Sequence, residues 1–104
     1  MKVRFHPNAR AELHAAWNWY NERSPLSATA FAHAIDNAVW RIKEAPTRNR
    51  VAEHGTRKFV LQRFPFNIFY RQGDAEIVIV AVAHQKRRPG YWSNRTPSEI
   101  GEAV

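Results

Sequence analysis

The sequence predicts an α+β domain. An N-terminal strand leads into an antiparallel helical hairpin, then a three-stranded antiparallel meander, with both helices on one face of a small sheet. Three observations carry this. Residues 9–20 and 31–42 each repeat apolar side chains at three- and four-residue spacing. The runs 57–64, 66–71 and 76–83 have strand length and strand composition. Prolines and a Gly-Asp pair punctuate the boundaries between them.

Lys2-Val3-Arg4-Phe5 alternates polar and apolar residues, as a short strand does. His6-Pro7-Asn8 breaks it; Pro7 suits the first turn of a helix and Asn8 is a capable cap. Ala9, Leu13, Ala16, Trp17 and Tyr20 then form one stripe, with Arg10, Glu12, Asn18 and Glu22 outside it. Ser24-Pro25 ends this helix, since a residue before proline is pushed out of the helical region. Ser24 or Ser27 starts the next, whose stripe is Phe31, Ile35, Ala38, Val39 and Ile42, and Ala45-Pro46 stops it. So short a connection folds the helices back on each other. Residues 47–56 read as a polar loop. Phe64-Pro65-Phe66 and Gln72-Gly73-Asp74-Ala75 mark two reversals, which pair the last three strands as hairpins. Ile77 to Ala83 is apolar on both faces, as in a central strand. With the helices on one face, the other face is expected to stay open to a partner.

A chain of 104 residues supports one core, assigned to residues 1–95, with 96–104 expected as a frayed, acidic tail. A hydrophobic fraction of 44% is enough for a folded core and argues against wholesale disorder. The absence of Cys removes disulfides, thiolate metal sites and cysteine nucleophiles. The first residues lack the apolar run of a signal peptide, and no run approaches the roughly 20 residues that span a bilayer. A cytoplasmic protein with no membrane contact is expected. The net charge of +7, with Arg outnumbering Lys, favours nucleic acid or an acidic protein as partner.

Several chemistries are excluded. No Ser lies in a nucleophile elbow, no Gly-rich loop could cradle phosphate, and the five His show no metal spacing. Neither a metal nor a cofactor is expected. What remains is cationic and aromatic. Arg57, Lys58 and Arg63 are expected on one strand, and Lys86, Arg87, Arg88 and Arg95 follow the last. Such a cluster binds phosphate and could aid RNA cleavage by positioning and charge stabilisation. His84 has the side-chain type for proton transfer near neutrality, or it closes the last strand by a hydrogen bond to a loop carbonyl. Tyr91 and Trp92 follow the turn dipeptide Pro89-Gly90; they stack on a partner, or they cap the open end of the core.

The order of elements, the run Phe64-Pro65-Phe66-Asn67-Ile68-Phe69-Tyr70-Arg71, and above all His84-Gln85-Lys86-Arg87-Arg88-Pro89-Gly90-Tyr91-Trp92 resemble the RelE/ParE superfamily. Its members are toxins of type II toxin–antitoxin systems, often called plasmid stabilisation proteins, and the resemblance spans residues 2–95. It implies growth arrest, neutralised by a small acidic antitoxin, with operator DNA reached only through the antitoxin complex. The RelE-like branch cleaves mRNA on the ribosome with sheet cations and a C-terminal tyrosine. Those positions fall here on Lys58, Val60, Asn67, Lys86 and Trp92, with Tyr91 beside the last. The departures at Val60, Asn67 and Trp92 place the chain nearer the ParE-like branch, which inhibits DNA gyrase.

The reading adopted is therefore a binding inhibitor of gyrase. Its target or partner would meet Arg57, Arg63, Arg71, Arg87, Arg88, Tyr91, Trp92 and Arg95. The alternative is a ribosome-dependent mRNA endonuclease using Lys58, Arg63, His84, Lys86 and Tyr91. A third, a nucleic-acid-binding domain without toxicity, rests on charge alone.

Overall fold

The structure, a computed structural model, describes residues 1–96 together with the backbone of Glu102–Ala103. The elements are β1 (Lys2–Phe5), α1 (Pro7–Arg23), α2 (Pro25–Glu44), β2 (Arg57–Val60), β3 (Phe66–Gln72), β4 (Glu76–His84) and β5 (Glu102–Ala103). They form one sheet in the order β2-β3-β4-β1-β5, with β2, β3 and β4 as the antiparallel meander the sequence predicts. β1 lies parallel to β4, Val3 opposite Ile77 and Phe5 opposite Ile79. Of the expected tail over 96–104, residues 97–101 and 104 lie outside the described residues. No helix among the described residues is long and apolar enough to cross a membrane.

Local chemistry sets the helix boundaries. The cap of α1 is His6, not Asn8: the His6 ring Nδ1 accepts the Asn8 amide at 3.0 Å, and Pro7 takes the first helical position. The extended backbone of Asn8 that capping would need is given up, because Pro7 already carries the helical φ. Ser24 serves both helices. Its amide donates to the Tyr20 carbonyl at 2.8 Å, closing α1, and its hydroxyl accepts the Ser27 amide at 3.3 Å, opening α2.

The α2 stripe Phe31, Ile35, Ala38, Val39 and Ile42 is buried throughout, against Val3 and Phe5 of β1 and Ile68 and Tyr70 of β3. Tyr20, Phe31, Phe64 and Phe66 add an aromatic cluster with centroids 5.2–5.4 Å apart. On α1 the stripe is less complete, since Trp17 stays 38% exposed.

In β4 the register shifts: Ile79 opposes Tyr70 and Ala81 opposes Phe69, leaving Val80 opposite no residue of β3. An extra residue reverses the phase of the side chains beyond it. Ile77 and Ile79 before the bulge and Val82 after it belong to the helix-side core. Val80, Ala81 and Ala83 join Phe69 and Trp92 in a second cluster. The face expected to lie open is thus partly closed by the segment after β4, with Tyr91 and Ala52 against its edge. A continuous apolar strand needs cover on both sides, and with no helix left the chain supplies it from loops.

Residues 47–56 also hold more order than a polar loop. Ala52 donates to the Thr56 carbonyl at 2.8 Å, Val51 bridges Arg57, and His54 and Gly55 turn the chain with φ of 57° and 70°. Two successive positive φ values suit a tight hairpin turn.

Candidate functional site

The second cluster floors a depression of about 300 Å³ on the sheet face away from the helices. Each side chain arrives by strand register. Lys58 of β2 stands opposite Phe69 of β3, and Asn67 opposite Ala83 of β4. Phe69 and Trp92 stack with centroids 4.5 Å apart, and His54 meets the Trp92 ring edge-on at 5.8 Å. Arg87 and Arg88, in the turns after β4, form the exposed rim, and Glu53 is the one acid among the lining residues. Arg87 lies over the Tyr91 ring at 3.9 Å. Gln85 donates to the Asn67 amide oxygen at 3.3 Å across the rim.

The wall behind Tyr91 is built on Glu12. β1 ends opposite Ile79, so farther along β4 this edge has no strand beside it among the described residues. Buried strand-edge groups need partners. The Glu12 carboxylate accepts the Val82 amide at 3.0 Å, and Arg95 donates to the Val80 carbonyl at 3.0 Å. Arg95 also grips Glu12 with both terminal nitrogens, at 2.9 and 3.1 Å, and the Tyr91 hydroxyl donates to Glu12 at 2.6 Å. Burial, then the Glu12 hydrogen bond and charge, pushes the Tyr91 pKa far above its ordinary value. That phenol stays protonated at neutral pH. Glu12 was outside every sequence-based candidate set, because a charged residue off a helical stripe reads as solvent-facing.

The expected residues sort accordingly. Lys58, His84, Arg87, Arg88, Tyr91 and Trp92 line one depression. Trp92 is only 1% exposed and belongs to its floor, which agrees with its capping the core and not with an exposed stacking platform. His84 accepts the Lys86 amide at its Nδ1 over 3.1 Å and sets its ring on Phe66 edge-on at 5.2 Å, so its strand-closing bond is to an amide and not a carbonyl. Lys86 is exposed in the turn and does not line the depression. Arg57 donates to the Asn49 carbonyl at 2.7 Å, from the opposite face to Lys58. Arg71 donates to the carbonyls of His54 and Arg95, at 3.2 and 2.7 Å, and burial lowers its pKa. Arg95 is held by Glu12. Arg63 is not on β2, which ends at Val60, but in the turn beyond it, beside α2.

The depression therefore offers three cations on an aromatic floor, two of them, Lys58 and Arg88, with no internal partner among the described residues. Such a surface can hold carboxylates or phosphates. Among the described residues no group of three or more His, Cys, Asp or Glu side chains could hold a metal ion.

The chain matches the sequence model of the ParE toxin, the toxin of the type II toxin–antitoxin system parDE, over residues 3–89. It is also similar to a solved structure described as the chromosomal ParDE TA system from P. aeruginosa. Identity is 25%, the match covers 81% of this chain and 95% of that one, and the TM-score is 0.72. No curated protein matches it.

Proposed function

Since this chain belongs to the ParE toxin family of type II toxin–antitoxin systems, we propose that it arrests growth in the cytoplasm by binding and inhibiting DNA gyrase, and that a small acidic antitoxin neutralises it. The observation that carries binding over catalysis is the state of Tyr91. The hydroxyl a nuclease would use is donated to Glu12 at 2.6 Å, while Lys58 and Arg88 keep their charged ends available. Charge and shape remain for binding, with the Tyr91 proton committed to Glu12 and only His84 and Glu53 left among the lining residues as a candidate acid or base. The net charge of +7 suits an acidic antitoxin by long-range attraction as well as by contact.

A second reading, a ribosome-dependent mRNA endonuclease, is favoured by one observation. Lys58, His84 and Tyr91 do line the same depression. One experiment separates the two: purified chain is added in parallel to a gyrase supercoiling reaction and to translating ribosomes. Inhibited supercoiling with intact mRNA is the expected result. Cleavage of mRNA in the ribosomal A site, with supercoiling unaffected, would overturn it.

A further inference from the structure

Arg63 is placed away from the sheet-face cations and lines a pocket of about 380 Å³ between α2 and the β2 end of the sheet. Arg41 and His33 of α2 line the same pocket, and Phe59 and Phe64 are among its apolar walls. Two features set it apart from the back-face depression. None of its lining residues is acidic, whereas Glu53 stands in the other. Arg41 and Arg63 are both exposed, and neither guanidinium has an internal partner among the described residues. Uncompensated cations around an apolar hollow repel one another, and a carboxylate placed between them removes that repulsion while forming charge-assisted hydrogen bonds. The hollow itself is walled by aliphatic as well as aromatic groups, Leu61 included, which fits an aliphatic side chain better than a stacked base.

We propose that this pocket seats an acidic, amphipathic segment of the antitoxin, with an aliphatic side chain against Phe59 and Phe64 and carboxylates on Arg41 and Arg63. The assignment rests on the chain being a toxin with an acidic antitoxin, and it gives that partner a docking site separate from the target-binding depression.

The test titrates the isotope-labelled full chain with a synthetic peptide of Glu and Leu in helical spacing. A Lys and Leu peptide and a short duplex DNA serve as the other two probes. The Glu peptide is expected to bind saturably and to move the side-chain resonances of Arg41, Arg63 and Asn37. Arg41→Glu with Arg63→Glu should weaken it roughly tenfold or more. Arg48→Glu, an exposed cation outside the pocket lining, should change it by no more than about twofold. Equal losses in both variants overturn the pocket, as do shifts confined to the Lys58 depression, or DNA moving these resonances where the Glu peptide does not. Growth assays judge the toxin reading separately. A toxic chain whose rescue by its antitoxin survives the Arg41/Arg63 reversal keeps that reading and loses this pocket; a non-toxic chain loses the reading whatever the peptide does.

Discussion

Glu12 in α1 and Arg95, 83 residues later, form a two-pronged ion pair at 2.9 and 3.1 Å that occupies the β4 edge where β1 stops. The pair fastens the segment after β4 to the first helix, and through Tyr91 it fixes one wall of the cationic depression. Its side chains are 11% and 18% exposed, so solvent screens it little. Removing Glu12 would strand the Arg95 charge and the Val82 amide, and removing Arg95 would strand the Glu12 charge and the Val80 carbonyl. Glu12→Gln is expected to cost about 2 kcal/mol in urea unfolding, and Arg95→Ala a similar amount. The double variant should cost clearly less than the two losses added, because one interaction is lost only once. Additive losses would show that the pair is not the unit holding this edge.

Tyr91 predicts the alkaline limb of the stability curve. Its folded pKa is raised, first by burial and then by Glu12, above the roughly 10 of an unfolded tyrosine. The unfolded chain therefore loses this proton before the folded one does. The stabilisation is full below about pH 10 and declines above it, by up to about 1.4 kcal/mol per pH unit for each such group. Tyr20 and Tyr70 are raised in the same direction by burial, so several groups contribute. Tyr91→Phe should lower stability at neutral pH, through the lost hydrogen bond, yet flatten the decline above pH 10. Unfolding free energies measured from neutral to strongly alkaline pH check both parts.

Gly90 is fixed by its backbone conformation. Its φ is 76°, and a Cβ added there would stand 3.4 Å from Nε2 of His54, the ring that meets Trp92 edge-on. Gly90→Ala should destabilise by about 1–2 kcal/mol from the backbone alone. Adding His54→Ala should recover little of this, since a Cβ at 3.4 Å is in ordinary van der Waals contact with that ring. Complete recovery in the double variant would mean that the backbone conformation costs nothing.

How far this could be read in advance depended on whether a residue's environment is local. The stripe Phe31, Ile35, Ala38, Val39 and Ile42 states its own burial, and Ser24-Pro25 states its own turn. Both helices and the meander follow from signals of this kind. The Val80 bulge does not, because a continuous run from Ile77 to Ala83 has no alternation in which a change of phase could show. Burial of Trp92 was equally hidden: a ring that floors a site and one that stacks on a ligand look alike in sequence. Nothing at Leu61-Gln62 marks the end of a strand before Arg63; β2 ends because the chain reverses over residues 62–65, a turn closed by the Leu61 amide on the Phe66 carbonyl at 3.1 Å. Glu12 needed a partner at the far end of the chain, and no window of sequence contains both.

The antitoxin complex should be salt-sensitive. Part of its attraction would be between a +7 chain and the acidic partner proposed for it, and exposed charges are screened over about 8 Å at physiological ionic strength. Raising the salt should slow association more than it speeds dissociation, since steering acts on encounter. Surface-bound antitoxin and a salt series measure both rates. Rates that do not change with salt would point to an apolar contact, with the cations serving some other partner.

Arg88 and Trp92 separate surface from scaffold within one depression. Arg88 is exposed with no internal partner among the described residues, so Arg88→Ala should leave thermal stability within about 0.5 kcal/mol of the parent. If this face meets the target, the same change should weaken growth arrest several-fold. Trp92 is buried on Phe69, and Trp92→Ala should cost about 3–5 kcal/mol, abolishing activity through the fold. Lys58→Ala should resemble Arg88→Ala, as the other unpartnered cation lining the depression. Induction assays beside melting curves of the purified variants distinguish these cases. Full toxicity in a well-folded Lys58→Ala, Arg88→Ala double variant would move the target-binding surface to another face of the molecule.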